Sequence, residues 1–249
     1  HWMVHSFPTR RSSDLNHFLE ALVRRDRNRP SVVIWSLSNE MSPITLFDLE
    51  LPKMAAMTRV FKRIIADTEA EDDSRVIQMS SAMDFIGNLK MYNLHYPKSW
   101  SAYPDYPHPA YWLESSFLFP WYGPKRNLMP SWSWRKDKPL YFGEFTCVFG
   151  ATPDNQASII GDIAFEQKDG GTTLVNEKLW PLEVKAYRRL DVSGFCAWAF
   201  ALGHYTSVDA MLESPAVRAH TDAVRPVAVL DHTYRTQYFA GDEVALELS

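Results

Sequence analysis

Cysteine is scarce. The 249 residues hold two, Cys147 and Cys196, with no CxxC spacing, which argues against a disulfide framework and against a structural zinc site. There is little excess charge of either sign: 26 Lys and Arg stand against 30 Asp and Glu, for a formal charge of −4. That balance gives no general pull toward nucleic acid or an anionic bilayer. No apolar run approaches the roughly 20 residues that a membrane span needs. Neither GxGxxG nor GxxxxGK[ST] occurs, so nothing marks a nucleotide phosphate site. His1–Val4 lack the charged-then-apolar pattern of a secretory signal, and the compartment is left open. What remains is an ordinary globular composition, 46% hydrophobic and 22% charged, enough for one large domain or two small ones. Aromatic residues are the one excess, with 14 Phe, 9 Trp and 11 Tyr.

The ends differ from the middle. Residues 5–15, HSFPTRRSSDL, resemble the translation of a sequencing adapter, so residues 1–15 read as a non-native leader and the native part preceding Asn16 as lost. At the other end Val244, Leu246 and Leu248 alternate with polar residues, the pattern of a half-buried strand. Residues 226–249 are therefore expected to open a truncated β-sandwich of immunoglobulin-like type.

Between the ends, strands and helices alternate. Phe18, Leu19, Leu22 and Val23 recur at helical spacing, and Asn28-Arg29-Pro30 stops that helix. Ser31–Leu37 is a short β-branched apolar run, as in a strand buried on both faces. Leu51–Ala66 is an amphipathic helix with Met54, Met57, Val60, Phe61, Ile64 and Ile65 on one side. Val76–Met79, Lys90–Leu94, Leu140–Phe142 and Val192–Phe200 are further strands, and Gln156–Lys168 and Leu182–Leu190 further helices. Such alternation implies an α/β fold with parallel strands and right-handed crossovers. Five strands fit either an open doubly wound sheet or part of a (β/α)₈ TIM barrel. The missing phosphate-binding loop favours the barrel, which occupies residues 16–225.

Two glutamates stand at matching places. Glu40 follows the strand ending Leu37-Ser-Asn39, and Glu144 follows Leu140-Tyr-Phe-Gly143. Each lies past the carboxyl end of a parallel strand, where barrel active sites form. Alone, either reads more readily as an exposed helix cap. As a pair they suggest glycoside hydrolysis, with carboxyl groups about 5–5.5 Å apart in a retaining enzyme and about 6.5–9.5 Å apart in an inverting one.

Arg25-Asp-Arg-Asn-Arg-Pro-Ser-Val-Val-Ile-Trp-Ser-Leu-Ser-Asn-Glu40 closely resembles the acid/base signature of glycoside hydrolase family 2, which holds β-galactosidases, β-glucuronidases and β-mannosidases. Lys138-Pro-Leu-Tyr-Phe-Gly-Glu-Phe145 is similar to its nucleophile strand. The likeness runs from Leu15 to Pro226, departing at Ser38, where glycine is usual, and at Arg29, where histidine is common. It implies a partial barrel, strands four to eight, with Glu40 after strand four and Glu144 after strand seven. It further implies that Glu40 is the general acid/base and Glu144 the nucleophile. Asn39 then matches the residue bonding the sugar's 2-hydroxyl, and Tyr96 the tyrosine touching the nucleophile. His95 stands for the same wall or a structural histidine, and Trp198 for the indole floor of the sugar site or a core residue.

The activity implied is a retaining β-glycosidase, β-galactosidase-like, acting on a β-glycoside. Another clan member such as a β-mannosidase, β-glucuronidase or β-mannanase is the second reading, and an inert carbohydrate-binding fragment the third. The reaction requires no cofactor, and a bound divalent cation is left open. Neither nucleic acid nor membrane is expected as a partner, whereas a homo-oligomer of the full-length protein is left open. Residues 92–134 hold 13 aromatics, which suit either a sugar-stacking loop or the packing of a long connection. An incomplete barrel exposes sheet edges, so the chain by itself is expected to be poorly soluble or inactive.

Overall fold

The computed structural model describes residues 12–39, 51–80, 84, 87–95, 117–118, 131–132, 134–145, 153–169, 171–198, 206–230 and 239–249. The chain divides into two compact units, His1–Leu94 and His95–Ser249. Parallel strands and helices alternate in both, as an α/β fold requires.

In the first unit, helix α1 (Ser12–Asp26) leads to strand β1 (Ile34–Asn39), helix α2 (Leu51–Glu71) and strand β2 (Val76–Ser80). β1 and β2 pair in parallel, with Ile34 opposite Val76, Ser36 opposite Gln78 and Asn39 opposite Ser80. Leu19 and Val23 of α1 share one aliphatic core with Phe61, Ile64 and Ile65 of α2 and with Trp35, Leu37, Ile77 and Met79 of the strands. Phe18 does not join them and is 57% exposed, because it lies a quarter-turn round the helix from the Leu19–Val23 line. α2 runs five residues past its expected end, continuing its buried face to Thr68. Helix α1 starts at Ser12, inside the expected leader.

β1 starts three residues later than expected, and one side chain explains the delay. Arg75 Nε donates to the carbonyl of Val32 at 2.6 Å and Nη2 to that of Arg29 at 3.3 Å. Those acceptors are thereby committed to a guanidinium rather than to a neighbouring strand. Asp72 anchors the same corner, accepting from Arg75 Nη1 at 2.6 Å, from Ser74 Oγ at 2.6 Å and its N–H at 3.0 Å, and from Trp35 Nε1 at 2.9 Å. Burial by itself would raise this carboxyl, but the hydrogen bonds outweigh it and hold it well below the usual carboxylate range. Strand β3 (Tyr92–His95) closes the unit and crosses its boundary.

In the second unit a short antiparallel pair, β4 (Phe117–Leu118) and β5 (Ser131–Trp132), lies within the aromatic-rich stretch. Most of that stretch lies outside the described residues, and with it the question of a sugar-stacking loop. Strand β6 (Leu140–Phe145) pairs in parallel with β7 (Gly194–Ala197), matching Tyr141 with Gly194, Phe142 with Phe195 and Phe145 with Ala197. Between them come helix α3 (Pro153–Ile160), a 3₁₀ segment (Gly161–Glu166) and helix α4 (Thr172–Arg189). The single helix expected over Gln156–Lys168 is broken at Gly161, whose φ of 74° lies in the left-handed region that favours glycine.

α4 begins ten residues before the expected Leu182. Pro181 invites a start after it, since proline costs an interior helical bond. Burial of Val175, Leu179 and Trp180 ahead of the proline outweighs that cost. Asp169 caps the helix, accepting from the N–H groups of Gly171 at 3.0 Å and Thr173 at 2.9 Å. Two further helices, α5 (Val208–Leu212) and α6 (Pro215–Ala223), were not anticipated. Their signals were nevertheless present in Ser207 and Ser214, whose hydroxyls accept from Ala210 N and Val217 N.

The half-buried strand expected over Val244–Leu248 does not form. Val244, Leu246 and Leu248 are 47%, 57% and 55% exposed, and residues 242–247 form no strand. A reciprocal backbone pair, Leu230 with Ser249 at 2.9 and 3.0 Å, links the two sides of this segment. Alternation makes a strand only where a second layer covers its apolar face, and no such cover exists among the described residues.

Candidate active site

In the second unit, Glu144 sits near the carboxyl end of β6. The strand's two faces differ sharply. Phe142 and Phe145 are fully buried against Tyr187 of α4, with ring centroids 4.4 and 5.6 Å away, and Phe195 of β7 joins them at 5.9 Å from Tyr187. The irregular register between Phe142 and Phe145 lets both phenylalanines face the helix, and it leaves Glu144 on the opposite side. On that side Tyr141 lies over Gly194, where a Cβ would stand 2.6 Å from the ring. Cys196 belongs to the same face. Its thiol is raised by burial and then by the charge of Glu144, and Tyr141 is raised by burial and then by Cys196.

His95 completes the group. Its Nδ1 lies 3.7 Å from Glu144 Oε1, with side-chain exposures of 0% for the imidazole and 18% for the carboxylate. Trp198 follows β7, half-buried, and its backbone N–H donates to the carbonyl of Phe145 at 3.0 Å. Its place two residues past Cys196 puts it next to the end of the strand that carries Glu144.

In the first unit, Asn39 is the last residue of β1 and is exposed. Ser38 before it has a buried hydroxyl with no hydrogen-bond partner among the described residues. Glu40 and Tyr96 lie outside the described residues, and so does the separation of Glu40 from Glu144. The arginine-rich half of the signature takes up a structural position. Arg25 and Arg29 both pair with Asp26, at 2.6 and 2.9 Å, and Arg24 and Arg27 pair with Glu71 at the end of α2. These contacts fasten the turn at the amino end of β1.

One buried pair escaped the sequence reading. Asn93 Nδ2 donates to Gln78 Oε1 at 2.7 Å, with both residues more than nine-tenths buried. Its only signal was a polar residue inside each of two otherwise apolar strands.

A carboxylate at the carboxyl end of a parallel strand, backed by an apolar layer and faced by a histidine, defines an α/β site of the kind that enzymes of this architecture build. The comparison with known families is specific. Residues 5–155, more than half of the chain, match the family described as "Glycosyl hydrolases family 2, TIM barrel domain", and the chain belongs to that family. A curated relative, beta-glucuronidase of Canis lupus familiaris, is 40% identical over 78 residues, covering 30% of this chain. The match spans 11% of that relative's length. No described helix is long and apolar enough to cross a membrane.

Proposed function

We propose that the chain carries catalytic machinery of a retaining β-glycosidase, with Glu144 as nucleophile and Glu40 as general acid/base. In this reading residues 16–225 supply strands four to eight of a (β/α)₈ barrel, and residues 226–249 open a β-sandwich. The observation that carries the reading is the half-buried Glu144 carboxylate, at the end of a parallel strand and facing His95, in a chain of this family.

The chemistry follows from that placement. Glu144 attacks the anomeric carbon while Glu40 protonates the departing oxygen, giving a covalent glycosyl-enzyme. Glu40, now ionised, takes a proton from water, and that water releases the sugar with net retention. Glu144 must stay ionised to attack. Asn39 bonds the 2-hydroxyl, Tyr96 steadies the nucleophile, and Trp198 offers a flat apolar floor. Two carboxylates and water suffice, so no cofactor enters.

The sugar is a β-galactoside in the reading of the sequence. The β-glucuronidase relative favours a β-glucuronide as the second reading. A panel of 4-nitrophenyl β-glycosides assayed with the intact enzyme separates the two. Azide tests the roles. Glu144→Ala rescued by azide should yield the α-glycosyl azide, and Glu40→Ala the β-glycosyl azide. The same azide anomer from both variants would reject the assignment. Glu40→Ala should also spare glycosyl-enzyme formation from substrates whose leaving groups need no proton.

A further inference from the structure

Gln78 and Asn93 form a deeply buried side-chain pair that the chemistry above leaves unused, 7% and 0% exposed and 2.7 Å apart. Ile77 and Met79, the neighbours of Gln78 on β2, belong to the aliphatic core beneath the helices. Alternation therefore places Gln78, and Asn93 bonded to it, on the other face of their strands. Packing alone does not call for two amides here, because apolar side chains of the same shape fill such a space about as well. Two residues beyond Asn93, on the same face of β3, comes His95. Residues i and i+2 of a strand turn together when the strand rotates about its own axis. A bond that fixes the direction of Asn93 thus fixes the direction of His95, whose Nδ1 stands 3.7 Å from Glu144 Oε1.

We propose that Gln78 and Asn93 are positioning residues that hold β3 in the rotation aiming the His95 imidazole at Glu144. The consequence for catalysis rests on the reading of Glu144 as nucleophile, whereas the consequence for the imidazole does not. The experiment uses the intact enzyme labelled with ¹⁵N-histidine, with 4-nitrophenyl β-D-galactoside and β-D-glucuronide as activity probes.

Gln78→Met keeps the side-chain length and removes the acceptor. The ring ¹⁵N shifts of His95, which report which nitrogen carries the proton, should move toward those of Glu144→Ala. On the probe that is turned over, kcat/KM should fall by about 10²-fold, mainly through kcat. Exchanging the two side chains, Gln78→Asn with Asn93→Gln, rebuilds an amide–amide bond and should return both readings toward the wild type. If Gln78→Met does not fold, Gln78→Met with Asn93→Leu removes both amides together and is read in the same way. Ring shifts unchanged from the wild type in a folded variant overturn the proposal. So does an exchange that restores melting temperature without restoring the ring signature. Failure of the glycosidase reading is distinct: the wild type then turns over neither probe, while the His95 signature still answers to Gln78→Met.

Discussion

The two units bring their parallel strands to functional ends by different physical means. In the first, β1 is fastened at its amino end by charge. Arg75 and Asp72 hold the entry to the strand, and Arg24, Arg25, Arg27 and Arg29 pair with Glu71 and Asp26 around it. In the second, β6 is held from behind by rings: Phe142, Phe145, Phe195 and Tyr187, with His220 of α6 stacked 6.1 Å from Phe145. Ion pairs on a surface are screened and individually weak, whereas close-packed buried rings resist any change of volume. The entry to β1 is therefore the more dependent on pH and salt, although Trp35 and Leu37 of that strand share the aliphatic core.

That contrast can be broken in graded steps. If Glu144 is the nucleophile proposed above, the largest effect should come from Glu144→Gln, which should cut turnover in the intact enzyme by roughly 10⁴-fold or more while leaving the melting curve nearly unchanged. Tyr187→Ala comes next. The residue is fully buried and touches three rings, so thermal or urea unfolding should register a loss of about 3–5 kcal/mol. Asp72→Ala should cost less, about 1–3 kcal/mol, by leaving the Trp35 indole N–H buried without its acceptor.

The same carboxyl gives a pH signature. Because Asp72 is held below its unfolded range, its contribution is fully present above that range and is lost as pH falls through it toward the folded value. Replacing it should flatten the acid limb of the unfolding free energy, and an acid limb identical to the wild type would contradict the hub assignment. The smallest effect belongs to Glu71→Gln. Its partners Arg24 and Arg27 are exposed, so a slight loss at low salt should vanish at high salt.

The elements themselves show how far sequence reasoning reaches. Among the described residues a strand forms within each of the five expected stretches, although β1 alternates buried with exposed positions instead of burying both faces. Their edges moved wherever a distant group intervened, as with Arg75 at the start of β1. Helix α4 crossed a proline because its buried face lay on both sides of it. The C-terminal alternation failed as a strand for the complementary reason, since a period-2 pattern states only a possibility that a covering layer must realise.

For the site, Glu144 was legible from its motif and its strand end. The facing histidine could be named only as part of a wall, because an imidazole 49 positions away in the sequence approaches a carboxylate only through the fold. Gln78 and Asn93 were less legible still. Polar residues within apolar strands look like exceptions until the hydrogen bond between them is seen.

By itself the sequence determined the alternation of strands and helices, the family, and the strand ends where carboxylates stand, because local periodicity and a long contiguous motif encode those directly. Tertiary structure alone decided that Glu144 turns away from the ring layer toward His95, that the arginines of the signature act as a clasp, and that Gln78 and Asn93 bond to one another. Each of those outcomes depends on which faces meet, and the meeting of faces is a property of packing that no single stretch of chain contains.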